Sequence, residues 1–429
     1  ADAILEDLKN LFEQAEITGA RGNNTFVVND LDRSIRVGNT AVAVLDWRGT
    51  VTLDNAANDS ASPEHLLITM PAESQAIVII NSSDADLSDR LVVTGSDNAD
   101  RFLLTATGTD ANATGMIQLR EFRRGQTGLF DAMRVLHQGV EAVEINSRGG
   151  DDRFAVRTLH ARTTLNTGAG NDAIYVGSNA TLGDLGQPDT NTGGNLNAIN
   201  ALLTINGQGS ADSDLLDLDD TTDTNSNHGT LTSTRITNGV VGSGTTLRLF
   251  AAGGSITYGT LESLVIHLGG SAGQGNAFTV ESTHGVGSLT TVSSRAGADV
   301  FNIETLTGDL VLSTGEGSDT VRVGSTTGDL DAIAGLQDVF NSSVNGLAGR
   351  LTVDGGAGAA DTLKVYDGGD STRESGVLTA TTITGMGLLG ITYTGFDVLK
   401  IWLSNGDNQF HVGSTHVGVT FIDMGDEQA

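Results

Sequence analysis

Gly149-Gly150-Asp151-Asp152-Arg153-Phe154-Ala155-Val156 returns as Gly168-Ala169-Gly170-Asn171-Asp172-Ala173-Ile174-Tyr175-Val176, with Asp172 standing 20 residues after Asp152. Ala296-Gly297-Ala298-Asp299-Val300-Phe301-Asn302-Ile303 returns as Glu316-Gly317-Ser318-Asp319-Thr320-Val321-Arg322-Val323, again after 20 residues. A period of this length with one Gly-rich corner is too short for a propeller blade or a helical repeat. It fits one coil of a right-handed parallel β-helix, an all-β solenoid whose short strands rise ~3.3 Å per residue between tight corners. Phe154 and Val156 are then expected to stack over Ile174 and Val176. Coils ~4.8 Å apart satisfy one another's backbone groups, so a narrow core suffices.

Outward from these pairs the phrase weakens but persists, at Gly22-Asn23-Asn24-Thr25-Phe26, Asp100-Arg101-Phe102, Asn276-Ala277-Phe278 and Gly406-Asp407-Asn408-Gln409-Phe410. Alternating segments such as Leu91–Thr94, Leu203–Asn206 and Leu351–Asp354 read as strands ended by Gly or polar turns. A longer repeat overlies the short one. Leu203–Ala211 matches Leu351–Ala359 at an offset of 148, Gly229–Thr237 matches Gly376–Thr384, and Ser282-Thr283-His284 matches Ser414-Thr415-His416 at 132. The register shortens mainly between Asn238 and Ser255, which is expected to be a surface loop.

Helical spacing of Ile4, Leu5, Leu8, Leu11, Phe12 and Ala15 predicts an amphipathic helix at the start, and Leu330, Ile333, Leu336, Val339 and Phe340 predict another after an Asp329 cap. Leu196, Ile199 and Leu203 do so faintly. The expected organisation is a helix over 1–18 that caps the first coil or meets another subunit, coils over 19–178, and a loop or short helical insert over 179–202. Coils over 203–328, a helical insert over 329–348 and open-ended coils over 349–429 follow. Some 18 coils of ~4.8 Å would make a rod.

Composition agrees with a thin core. Glycine supplies 57 of 429 residues, proline three, and aromatic residues only 4%. Fifty-three carboxylates against 23 basic groups leave −30, a field that repels phosphate backbones and anionic membranes and attracts divalent cations. Nucleic acid is thereby excluded as a partner. Without cysteine there is no disulfide or thiolate metal site. No run of 18 apolar residues exists, so no membrane insertion by a helix is expected. The opening Ala-Asp-Ala is expected to mark a processed or excised segment.

The phrases Thr167-Gly168-Ala169-Gly170-Asn171-Asp172-Ala173-Ile174-Tyr175 and Thr314-Gly315-Glu316-Gly317-Ser318-Asp319-Thr320-Val321-Arg322 resemble the Gly-Gly-x-Gly-x-Asp-x-apolar-x nonapeptide of hemolysin-type (RTX) calcium-binding proteins, each lacking the first Gly. That resemblance implies Ca2+ at the corners, held by carbonyls and Asp carboxylates at Gly150, Asp152, Gly168, Gly170, Asp172, Gly297, Asp299, Gly315, Gly317 and Asp319. In the family the phrase repeats back to back, whereas here it appears once per 20 residues. In this respect the chain looks like the degenerate repeats of giant bacterial surface and adhesin proteins.

Physics bears on the same residues. Two carboxylates one coil apart, ~5 Å, repel by about 3 kcal/mol at an effective dielectric near 20, and by less when solvated. Calcium would turn that into a clamp. The competing expectation is that each Asp accepts backbone N–H bonds in an Asx-type turn and needs no metal.

Other residues carry weaker signals. The eight histidines form no i,i+3 or i,i+4 pair, and His284 and His416 recur in register, which points to a structural role. Asp217, Asp219, Asp220 and Asp223 read as a solvated acidic loop rather than a cation site. Arg120, Arg123 and Arg124 are expected to pair with Glu121 and Asp131.

The expected function is therefore a non-catalytic, extracellular, cell-surface β-solenoid. It would be a rigid module of an adhesin or a subunit of a head-to-tail filament, associating with itself end to end or continuing into neighbouring repeats, with a glycan or cell-surface ligand. The alternative is a carbohydrate-active β-helix, either a polysaccharide lyase or hydrolase, a tailspike-like protein or a glycan binder. Two Trp, four Tyr and three Lys supply little of the aromatic groove that sugars stack on.

Overall fold

The computed structural model describes residues 90–424 apart from 109–112, 123–128, 184–186, 208–211, 240–246, 327–340, 359 and 405. It also gives, by backbone alone, residues 121–122 and 129–133 and seven strands between residues 14 and 82. The regular elements among them are strands, paired mostly in parallel, and the architecture is an all-β solenoid. The chain forms two compact units. One comprises residues 1–192, 196–214 and 251–260; the other comprises 193–195, 215–250 and 261–429.

In the first unit Arg153–Val156 lies parallel to Ala173–Val176, with Phe154 opposite Ile174 and Val156 opposite Val176. The 20-residue period is thus one coil. Ala142–Asn146 lies between Arg90–Thr94 and Arg162–Gly168, and Arg162–Gly168 pairs in turn with Leu202–Gly207. Each coil is a longer strand, a Gly/Asp corner, a four-residue strand and a return. Strand side chains alternate between core and surface, so Val143 and Ile145 are buried while Ala142 and Glu144 are not. Phe102 stacks on Phe154 with centroids 5.0 Å apart.

Two features of this unit depart from uniform coils. Arg101–Thr107, Thr114–Phe122 and Leu129–Gln138 form an antiparallel run, whose backbone register sets Arg120 opposite Asp131. Arg123 and Arg124 lie outside the described residues. The 179–202 segment is a loop of turns and bridges and holds no helix among its described residues. Leu196 and Ile199 are buried because they form a turn, Ile199 N–H to Leu196 O at 3.1 Å, that bridges to Leu159. Arg101 and Arg153 both reach Asp189 of this loop, at 2.6 and 3.5 Å.

Of the helix expected over 1–18, residues 1–13 lie outside the described residues, and Gln14–Thr18 is a strand parallel to Thr50–Asn55. Pairing between coils there overrides local helical spacing.

In the second unit two parallel ladders run side by side. Ser263–His267, Leu289–Ser293, Asp309–Ser313 and Leu351–Asp354 form one. His228–Leu231, Ala277–Val280, Val300–Ile303, Thr320–Val323, Thr362–Tyr366, Val398–Trp402 and Val419–Asp423 form the other. The long sequence repeat is a repeated hairpin. His228–Leu231 turns back as Arg235–Asn238, and Ser375–Leu378 turns back as Thr382–Gly385. In each hairpin a glycine leaves room for a ring from the neighbouring coil, Phe278 against Gly229 and Phe410 against Gly376.

The Asn238–Ser255 segment is not merely a surface loop, since Leu249 and Phe250 are buried and the Phe250 N–H donates to Asn238 Oδ1 at 2.7 Å. Of the expected 329–348 insert, residues up to 340 lie outside the described residues. Residues 342–348 are turns that bury Val344 and Leu347. No helix among the described residues is long and apolar enough to cross a membrane.

Candidate functional site at the Gly/Asp corners

Each corner ends in an Asp or Asn just before a strand, and these residues stack into a ladder. In the first unit the Asp100 N–H donates to Asp152 Oδ1 at 2.7 Å, the Asp152 N–H to Asp172 Oδ1 at 2.8 Å, and the Asp172 N–H to Asp214 Oδ1 at 2.9 Å. In the second unit Asn227 donates to Asn276 Oδ1 at 3.0 Å and Asn276 to Asp299 Oδ1. Asp299 then donates to Asp319 and Asp319 to Asp361, each at 2.8 Å, and Asp361 to Asp397 at 3.0 Å. The bonds run from coil to coil, not within an Asx turn.

Asp152, Asp172, Asp299 and Asp319 are therefore brought together in two files. Asp100, Asp214, Asp361 and Asp397 belong to the same files. A usable signal for them is an Asp immediately before an alternating strand, as in Asp214-Leu215-Leu216 and Asp361-Thr362-Leu363.

The glycines make the stack possible. Gly168 and Gly317 have φ of 89° and 152°, and a Cβ on either would run into the carbonyl oxygen of the coil below, Arg148 and Gly297 respectively. Gly150, Gly170, Gly297 and Gly315 share the positive φ and the close backbone approach.

Burial dominates the electrostatics. Asp152, Asp172, Asp299 and Asp319 are at most 1% exposed. Desolvation pushes Asp152 up to about 8, with the Asp100 and Asp172 carboxylates adding to it. Desolvation also pushes Asp172 and Asp319 up to about 6, and raises Asp299 and Asp361.

Calcium takes six to eight oxygens, and several oxygens of these corners are already engaged. The Arg148 carbonyl accepts the Ala169 N–H at 3.0 Å and the Ala169 carbonyl accepts the Gly150 N–H at 2.9 Å, while the Asn171 carbonyl faces the Arg153 guanidinium at 2.7 Å. In the second unit the Glu316 carbonyl accepts the Gly297 N–H at 2.9 Å, and the Gly315 carbonyl accepts the Ala357 N–H at 3.0 Å. At each of these rungs the buried carboxyl oxygen Oδ2, of Asp152, Asp172, Asp299 and Asp319, has no hydrogen-bond partner.

The chain matches no protein-family model and no curated protein.

A second acidic group lies outside the repeated phrase. Asp367, Asp370 and Glu374 bring one oxygen each to within 4.8 Å of one another, and the signal was Asp367-Gly-Gly-Asp370 with Glu374 four residues on. Asp370 Oδ1 is taken by the Thr372 N–H at 2.7 Å, and Asp367 Oδ1 by the Val344 N–H at 3.1 Å. Asp367 is pushed up to about 8 by burial first and by Glu374 second. The group is a buried aspartate beside a half-buried glutamate, flanked by an Asx turn at Asp370.

At the matching place in the long repeat, Asp219, Asp220 and Asp223 are buried, not solvated. Asn227 Nδ2 donates to Asp220 at 2.7 Å, and the Asn225 N–H to Asp223 at 2.9 Å.

His284 and His416 repeat in detail, each with Nδ1 3.2 Å from a threonine hydroxyl, Thr290 and Thr420. Tyr366 and Trp402 stack 4.9 Å apart and are buried, so these rings face the core. Trp47 lies outside the described residues.

Proposed function

We propose that the chain is a non-catalytic structural and adhesive module of a bacterial cell surface, a β-solenoid that displays its acidic outer face outside the cell. The observation that carries this is the use of the repeated phrase. Its carboxyls and glycines, the residues that a cleft enzyme would present to a substrate, are buried in coil-to-coil bonding at Asp152, Asp172, Asp299 and Asp319. What recurs every 20 residues is therefore a stacking device.

Self-association is part of the same proposal. On Gln409–Val412 and Val419–Asp423 and beside them, Val412, Val417, Val419 and Phe421 are exposed at 45%, 107%, 65% and 47%. Val419–Asp423 is the last strand of its sheet among the described residues; exposed apolar side chains there favour the addition of another coil, and we propose that a neighbouring copy stacks there.

Immunogold labelling of intact producing cells with antibody to the purified chain tests the location; label confined to the cell interior overturns it. Sedimentation across a wide concentration range tests assembly, and a monomer throughout overturns the end-to-end contact.

A further inference from the structure

We infer that Oδ2 of Asp152, Asp172, Asp299 and Asp319 carries hydrogen, so that the ladder is a file of neutral carboxyl groups held together without metal. The inference stands on hydrogen-bond bookkeeping and is independent of where the chain is displayed.

In each of these residues Oδ1 accepts the N–H of the preceding rung, while Oδ2 is buried and has no hydrogen-bond partner. An orphaned buried carboxylate oxygen is costly. A carboxyl O–H in the same place is a donor, and the ladder itself shows that a donor is wanted there.

Asn276 occupies the rung before Asp299. Its Oδ1 accepts the Asn227 N–H, and its Nδ2 donates to the Gly269 carbonyl at 2.9 Å and to Ser294 Oγ at 3.1 Å. Asn408 does likewise before Gln409–Val412. Its Oδ1 accepts the Glu374 N–H at 3.1 Å, and its Nδ2 donates to the Ser404 carbonyl at 2.8 Å and Oγ at 2.7 Å. Wherever the rung is an amide, the second position faces acceptors.

The hydroxyls beside the aspartates agree. Ser147 lies beside Asp152, Thr167 beside Asp172, Ser294 beside Asp299 and Thr314 beside Asp319. Each hydroxyl has one hydrogen. Ser147 donates it to the Thr167 carbonyl and Thr314 to the Gly355 carbonyl at 2.9 Å. Toward Asp152 and Asp319 these two hydroxyls therefore offer a lone pair, which a carboxyl O–H satisfies and a carboxylate does not. Asp100 is the contrast, because its Oδ2 accepts the Ser96 N–H at 2.7 Å and needs no proton.

The charged groups that face the file mostly favour the neutral form. Asp100 and Asp172 face Asp152, and Asp299 and Asp361 face Asp319. Asp172 meets Asp212 and one opposing charge, Arg153. Asp299 is flanked by the uncharged Ser294 and Asn276.

The test uses the full chain and its Asp172→Asn and Asp299→Asn variants, unfolded thermally at pH 5 and pH 8, with calcium and with chelator. The amide keeps the Oδ1 acceptor and supplies the second donor. We expect variant midpoints at pH 8 equal to the wild type or a few degrees above it, a smaller fall between pH 5 and pH 8, and no calcium effect. A lower midpoint in the variants at pH 8, or a calcium-dependent rise in the wild type, overturns the inference.

Infrared spectra of the unmutated chain at pH 5.5, where exposed carboxyls are ionised, need no variant to fold. A protonated-carboxyl carbonyl band is expected, and its absence overturns the inference.

Discussion

The imidazoles of His137 and His160 stack with centroids 5.5 Å apart, and neither His137 Nδ1 nor His160 Nε2 has a hydrogen-bond partner. They border a cavity of about 20 Å³ with Ile117, Val143 and Leu159, room for one water. Burial lowers both rings, His137 to about 3, with His160 as the second cause there. A folded value below the unfolded one makes this stability complete above about pH 6.5 and lost as pH falls toward 3. Replacing both histidines with Gln isolates this term from the rest of the chain: the difference in urea midpoint between wild type and variant should shift against the wild type as pH falls from 7 to 4.5.

The aspartate ladder slopes the other way. Asp172 and Asp319 are raised to about 6 and Asp152 to about 8, so their contribution is full below the unfolded carboxyl value and is lost as pH rises through 6 and then 8. Carbon-13 titration of labelled aspartate should resolve carboxyl groups that ionise above pH 5.5. Three such groups are expected at these positions, each removed by its own Asp→Asn substitution.

Corner glycines should be far less replaceable than strand glycines. Gly317→Ala places a methyl against the Gly297 carbonyl at φ 152°, whereas Gly259 has open space around it. A loss of roughly 1–3 kcal/mol is expected for Gly317→Ala, and under about 1 for Gly259→Ala. Chemical denaturation read by circular dichroism compares the two.

The ring ladder sets the core cost. Phe154 is fully buried and stacked on Phe102, so Phe154→Ala should cost about 3–5 kcal/mol. Val311, 37% exposed, should tolerate Ala within about 1 kcal/mol. Denaturant midpoints of the two variants check the contrast.

Exposed Val417 and Phe421 should matter for assembly and not for folding. Val417→Lys should leave the unfolding midpoint within about 0.5 kcal/mol while lowering the sedimentation coefficient at high concentration. An unchanged concentration dependence would remove this face from the end-to-end contact.

Much of the fold was legible because stacking repeats a chemical phrase. Asp152 and Asp172 announced the coil length, and the Phe154–Ile174 register follows from it. The faint helical spacing at Leu196 and Ile199 is served by a turn, whereas residues 1–13 and 327–340 of the other two expected helices lie outside the described residues. Asp219, Asp220 and Asp223 looked solvated because their hydrogen-bond partners Gly194, Asn227 and Asn225 are set by loop closure, not by charge pattern.

The sequence alone determines the period, the corners and the inward side of each strand, since glycine at positive φ and alternating apolar residues are local requirements. Which way each carboxyl faces was decided only by the tertiary structure. Asp172 Oδ1 meets the N–H of a residue 20 positions earlier, and stacking seals Oδ2 from water. Burial and the directions of neighbouring hydrogens, neither of them local, turn a motif that resembles a calcium site into a hydrogen-bonded file.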